Sequence, residues 1–236
     1  NRVVIQEELR EISTIIKLWC SLLCEKHIIL LGNQAYLLFA VCESLLSLIF
    51  PFKWLHTYIP ILPYNQFDYL ESPTPYMIGV LSSRVDYSYL NENYASHVIC
   101  DINTSQINKN GVSFLSYNEE SKLRKKLQYM KNPELFTIED IFDSSEDKEK
   151  FTKGEDIEDI EQGRSFSENV CYIFFRIFRN SLNIMKKHFT NDKIFNVQSF
   201  LDEFCISDMR DFWEKVSATV AFEHFIMSFK NIDDSF

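Results

Sequence analysis

Residues 50–63 read Phe-Pro-Phe-Lys-Trp-Leu-His-Thr-Tyr-Ile-Pro-Ile-Leu-Pro, and this stretch limits the possible folds more than any other. An apolar run from Ala35 reaches Pro51, where a helix must stop, because proline has no amide hydrogen and its ring clashes with the preceding turn. Beyond it, Thr57 to Ile61 is β-branched and aromatic and favours a strand, and Pro60 and Pro63 confine that strand to an end or an edge. Trp54 and Tyr58 each require an apolar wall and a hydrogen-bond partner for one end of the ring. A helix therefore hands over to a strand here, beside an aromatic-rich core, with Trp54 expected as a buried anchor.

The rest of the chain is read outward from this junction. Leu9, Ile12, Ile15, Ile16, Trp19, Leu22 and Leu23 recur at helical spacing and predict a one-faced helix over Glu8–Cys24. His27–Leu31, ended by Gly32, predicts a central strand. Asn33 is the expected cap of the next helix, Ala35–Ile49, which is apolar nearly all round and requires cover on most sides. Glu43, inside that helix, would be costly if unpaired in an apolar site. Its expected role is a structural carboxylate held by backbone amides, Lys53 or His56, ahead of a catalytic acid.

Tyr64–Leu70 reads as a short helix, and Ser72-Pro73-Thr74-Pro75 as a rigid extended turn. Strands follow at Tyr76–Leu81, interrupted by Gly79, and at His97–Ile102, with Asp101 and Asn103 at the carboxyl end. Strands separated by helices predict an α/β module with a covered mixed sheet, in which ligands favour the carboxyl ends of strands. A short basic helix over Glu119–Met130 carries Lys122, Arg124, Lys125 and Lys126 and reads as a solvated face ahead of a phosphate or membrane contact.

The composition then changes. Glu134–Glu161 holds twelve acidic residues and three lysines, a local −9 within a chain of net charge −10. Such self-repulsion predicts a mobile linker or insertion, in which Phe136, Ile138, Ile141 and Phe142 are able to form one docking helical turn. After Ser167, the expected N-cap, everything reads helical. A stripe from Val170 to Met185 is followed by Val197–Phe204, by a third helix capped by Ser207, and by Val220–Phe229. Asp208 and Asp211 in the first turn of the third helix complement its dipole. The expected division is 1–132 for the α/β module, 133–166 for the acidic segment and 167–236 for an all-α helical module.

Several function classes lose support. A net charge of −10 argues against nucleic acid as a partner and leaves at most peripheral membrane association. Ala35–Phe50 is shorter than the roughly 20 residues a bilayer requires. Six cysteines without a Cys-x-x-Cys read as reduced, buried thiols in a cytosolic protein. Cys20, Cys24 and His27 lack a second ligand pair, so no metal is expected, and without a Gly-x-Gly-x-x-Gly or Walker loop no cofactor is expected either. A hydrolase built on Cys24, Cys100, His27, His97 and Asp101 is the remote alternative. Asp101 lies four residues from His97, roughly 13 Å in an extended chain, and no nucleophile elbow accompanies them. The chain opens inside a polar, helix-like stretch without an initiator methionine, as expected of a piece of a longer protein.

The pattern Pro-Phe-x-Trp-x-His-x-Tyr-Ile-Pro-x-Leu-Pro at residues 51–63 resembles the signature of the DENN domain family at every fixed position. Ser72-Pro73-Thr74-Pro75-Tyr76-Met77-Ile78-Gly79-Val80 and the strand end Asp101-Ile102-Asn103 extend the resemblance to the family's central module, over about Ile12–Ile107. Ile102 and Asn103 stand where leucine and often aspartate are usual. Ser167–Lys230 is similar to the all-helical downstream module through Thr219, Phe222, Phe225 and Ile226, with Val220 where glutamine is common.

The resemblance implies a guanine-nucleotide exchange factor for a Rab-type small GTPase in vesicle trafficking. It implies a GTPase regulator and not an enzyme with catalytic side chains. It also implies a longin-like module upstream of residue 1, and a cytoplasmic protein recruited peripherally to vesicle or endosomal membranes. The expected partner contacts are polar residues at strand ends, turns and the helical module: Arg84, Asp101, Asn103 and Arg210. The rival reading is a scaffold of the same family that binds without exchange or serves in a GTPase-activating complex.

Overall fold

The computed structural model describes residues 2–131, 165–190, 194–203 and 209–232. Helix α1 (Arg2–Leu23) leads into strand β1 (Ile28–Gly32), followed by α2 (Ala35–Leu48), β2 (Thr57–Ile59), β3 (Tyr76–Leu81) and α3 (Tyr87–Asn93). Strands β4 (Val98–Asp101) and β5 (Gln106–Ile107) then precede α4 (Tyr117–Lys131). The downstream part is helical: α5 (Phe166–Met185), α6 (Val197–Glu203), α7 (Arg210–Ser217) and α8 (Val220–Ile232). The strand order is β2-β3-β1-β4-β5. The first four strands are mutually parallel and β5 runs antiparallel to β4, so the sheet is mixed as expected.

Side chains alternate across a strand, and β1, buried at all five positions, divides its residues between two cores. Ile29 and Leu31 face a smaller core with Leu62, Leu70, Tyr76, Ile78, Val80, Leu90 and Ile99. Ile28 and Leu30 face the larger one, which runs through α1, α2 and α4 and continues without a break into Phe174, Phe178, Phe200, Phe212, Trp213 and Phe222 of the helical part. Its centre is Trp19, fully buried. Its Nε1 donates to the Leu48 carbonyl at 3.0 Å, and its ring meets Phe174, Phe178 and Phe212 at 5.1, 5.5 and 5.8 Å.

Several local expectations are corrected. Trp54 is only half-buried and donates to its near neighbour Thr57, so the buried anchors are Trp19 and Trp213. Gln34, not Asn33, is the N-cap residue of α2, and its side chain makes no capping bond. The Asn33 amide instead donates to Asn103 Oδ1 at 3.3 Å. Helix α5 is capped two residues earlier than expected, by Ser165 in a reciprocal capping box with Glu168. Gly79 does not interrupt β3. Glu43 is exposed and accepts the Tyr58 hydroxyl at 2.6 Å, so no buried charge needs Lys53 or His56. The predicted helix near Tyr64 is a 3₁₀ turn over Phe67–Glu71. Glu134–Glu161, Phe204, Ser207 and Asp208, to which the linker and cap expectations apply, lie outside the described residues.

Two histidines stand at the amino ends of β1 and β4. The rings of His27 and His97 meet edge-on at 4.9 Å, and both lie against Tyr76. Burial, and then the charge of His27, push His97 below its ordinary value of 6.5, against an opposing hydrogen bond to the Tyr94 backbone. The unfolded chain then binds more protons than the folded one as pH falls through 6.5. This contribution to stability is therefore complete above that value and is lost below it. A His97→Phe protein should lose less melting temperature than the parent between about pH 7.5 and 5.5. Equal slopes in thermal unfolding would remove His97 as a cause.

Candidate functional site

Because β1 to β4 are parallel, their carboxyl ends share one edge of the sheet, and three of the four expected contact residues lie there. Arg84, just past β3, donates from Nη1 to the Leu62 carbonyl at 2.6 Å and stacks over Tyr64 at 5.6 Å. Asp101 Oδ1 accepts from both Asn103 N and Asn103 Nδ2 at 2.8 Å. Asn103 in turn accepts from the Asn33 backbone. These side chains tie the loop after β3 to the one after β2, and the loop after β4 to the one after β1. Arg210 lies apart, in the helical module. It pairs with Glu214 at 2.9 Å and Asp202 at 3.7 Å and so joins α6 to α7.

What the residue-by-residue reading missed is the exposed face of α2, a helix that starts at this same edge. Only Leu38, Cys42, Leu45 and Leu48 of the helix are buried. Tyr36 is 73% exposed and Phe39 47%, so the helix is not covered on most sides. Its all-round apolar pattern was the available signal, but that pattern fits burial and interface equally. The outer stripe ends at Phe50, whose ring meets Phe175 of α5 at 5.4 Å. There a groove of about 730 Å³ opens between Leu46, Ser47, Cys171 and Tyr172.

Within the 51–63 stretch, Phe52 and His56 make longer-range contacts. Phe52 packs against Phe178 at 5.0 Å, Phe225 at 5.2 Å and Phe222 at 6.2 Å. His56 Nε2 lies 3.1 Å from Glu25 Oε1, close enough for an ion pair but outside hydrogen-bond geometry. Through Phe52 the stretch forms one part of the seam on which the helical part is seated, beside α1, α2 and α4.

Of the residues considered for hydrolysis, His27 and His97 are brought together. Burial pushes the Cys24 and Cys100 thiols up to about 12, which holds both in their non-nucleophilic form at neutral pH. Asp101 is taken up by Asn103 at the opposite end of β4 from His97. Among the described residues, no three His, Cys, Asp or Glu side chains are grouped to hold a metal ion. No described helix is long and apolar enough to cross a membrane. On α4, Lys122 pairs with Glu119, and Arg124 pairs with Glu120 and Ser13.

The family model of the DENN (AEX-3) domain matches residues 7–105. The chain is 31% identical over 192 residues to the DENN domain and WD repeat-containing protein SCD1 of Arabidopsis thaliana, which covers 81% of this chain and 16% of that protein. It is 45% identical over 65 residues to DENN domain-containing protein 2A of Homo sapiens, or 28% of this chain and 6% of that one. It is 30% identical over 120 residues to DENN domain-containing protein 1B of Mus musculus, or 50% and 16%. The chain thus spans 16% or less of the length of each of these three relatives. The 192-residue match is longer than the family-model match and so continues beyond it.

Proposed function

The chain belongs to the DENN domain family through its residues 7–105, and from that premise we propose that it forms part of a guanine-nucleotide exchange factor for a Rab-type GTPase. Proteins of this family are in general exchange factors for Rab GTPases. Exchange asks for no acid, base or nucleophile. A factor that binds the nucleotide-poor GTPase more tightly than the loaded one weakens nucleotide binding by linkage.

The observation that carries this reading is the exposed apolar face of α2 at the carboxyl edge of the sheet, Tyr36 and Phe39 above all. Aromatic side chains of this kind are favoured as interface anchors. Arg84, Asp101 and Asn103 frame that face by holding its loops, and Arg210 is the contact on the helical side. Residues 167–236 act as the family's downstream module. A longin-like module upstream grips the GTPase from the other side, on a vesicle or endosomal membrane to which the protein is recruited peripherally.

Release of fluorescent GDP from purified Rab GTPases tests this, with the chain alone and with the chain joined to its upstream module. Both should bind. Acceleration should be far greater with the upstream module, because half of an interface of roughly 1,600 Å² in total supplies only part of the differential binding energy. Equal rates would overturn the two-sided grip, and binding without acceleration by either would favour the scaffold.

A further inference from the structure

The turn between α1 and β1 holds Glu25 at φ 49°, a left-handed conformation that glycine adopts without strain and a side chain does not. Its carboxylate is nearly buried, with the side chain 9% exposed. It accepts the backbone N–H of Val220 at 3.0 Å and of Ala221 at 2.8 Å, the first two residues of α8, across 195 residues of sequence. The next amides of that helix are satisfied locally, Phe222 N–H by the Thr219 hydroxyl and Glu223 N–H by the Thr219 carbonyl. A helix start that already has its own cap has therefore handed its two remaining donors to a distant carboxylate, where the charge also complements the helix dipole. His56 faces the same carboxylate at 3.1 Å. Because a carboxylate offers acceptors only, this contact is attractive with the imidazole proton on Nε2.

Much of the rest of the seam is apolar, with Phe52 against Phe178, Phe222 and Phe225, and its other polar contacts include Ser47 Oγ with Cys171 Sγ at 3.4 Å and Lys215 over the Phe114 ring. Apolar burial is non-directional and holds two surfaces together without fixing how they are turned. Hydrogen bonds weaken steeply with angle and do fix it. We propose that Glu25, steadied by His56, is a latch that sets the register of α8, and with it the helical module, on the sheet. Both are positioning residues for any surface composed of the two modules.

Glu25→Gly separates this role from that of a turn residue, because the two make opposite predictions. A residue that merely makes the turn is improved by glycine, and the protein would be as stable or more so. A latch is broken by it. Native-state hydrogen exchange on the full chain should show the α8 amides, Val220 and Ala221 first, exchanging at least about tenfold faster relative to those of β1 and β3, the scale of a lost charged hydrogen bond. Glu25→Gln, which keeps an acceptor oxygen without the charge, should restore part of the protection. His56→Phe, which keeps a ring beside Trp54, should act in the same direction, less strongly and not additively with Glu25→Gly. Unchanged α8 protection in the glycine variant, or a loss spread evenly over sheet and helices in the glutamine variant, would overturn the proposal.

Discussion

Trp19→Ala is expected to cost the fold about 3–5 kcal/mol, the range for truncating a fully buried large aromatic. The site gives little chance of collapse. The ring, on α1, is fully buried and is held by Phe174, Phe178 and Phe212 of the downstream helices α5 and α7. Its Nε1 also satisfies the carbonyl of Leu48, the last residue of α2. Truncation would leave that acceptor buried without the indole, which costs more than the bond itself contributed. Urea unfolding checks this as a lower midpoint at unchanged slope. Trp54→Ala is the matched control. That ring is half-buried and bonds only within its own turn, so its loss should be clearly smaller. Equal costs for the two tryptophans would mean that the centre of the core lies elsewhere.

Gly79→Ala is expected to destabilise by an amount at or above the upper end of about 1–3 kcal/mol, the usual penalty of overpacking. A Cβ at this position would lie 2.0 Å from the Pro60 carbonyl oxygen, 2.9 Å from its carbon and 3.0 Å from a methyl of Leu38. The first two are backbone atoms of a proline, which cannot turn aside as a side chain end can. Nor can the segment retreat freely, because the Leu62 amide donates to the Gly79 carbonyl at 2.7 Å and β2 is paired with β3 through Ile59 and Ile78. The strain should open the β2–β3 edge first. It would be read as a lower melting temperature together with early exchange of the Leu62 amide. A variant with parental stability and an intact Leu62 amide would show that Pro60 can move without cost.

Much of the architecture was legible because it is encoded within a few residues. The runs 27–31, 76–81 and 97–102 are apolar on both faces, as central parallel strands are, and the structure has strands at Ile28–Gly32, Tyr76–Leu81 and Val98–Asp101. The helical stripes around Trp19 and from Val170 to Met185 repeat at the period of the helix that forms. The two elements without such a signal went unread. Helix α3 is Tyr-Ser-Tyr-Leu-Asn-Glu-Asn, with one buried residue, and β5 is two residues at the edge of the sheet. Cap positions shifted by one or two residues because several neighbouring Ser and Asn side chains can each serve, and loop geometry chooses among them.

The sequence by itself determined most of the strands and helices, the family signature and the point at which helix yields to strand. Only the tertiary structure decided which way those elements face. Nothing local to Pro51–Pro63 says that Phe52 looks toward a helix about 170 residues downstream, or that His56 meets Glu25 in the turn before β1. Nothing in the apolar run of α2 says that Tyr36 and Phe39 stay in contact with water, and Glu43 gives no sign that Tyr58 is its partner. Backbone hydrogen bonds and periodicity act over three or four residues, so a short window carries them. A side chain's partner across the fold is chosen by packing among residues that meet only after the chain has closed.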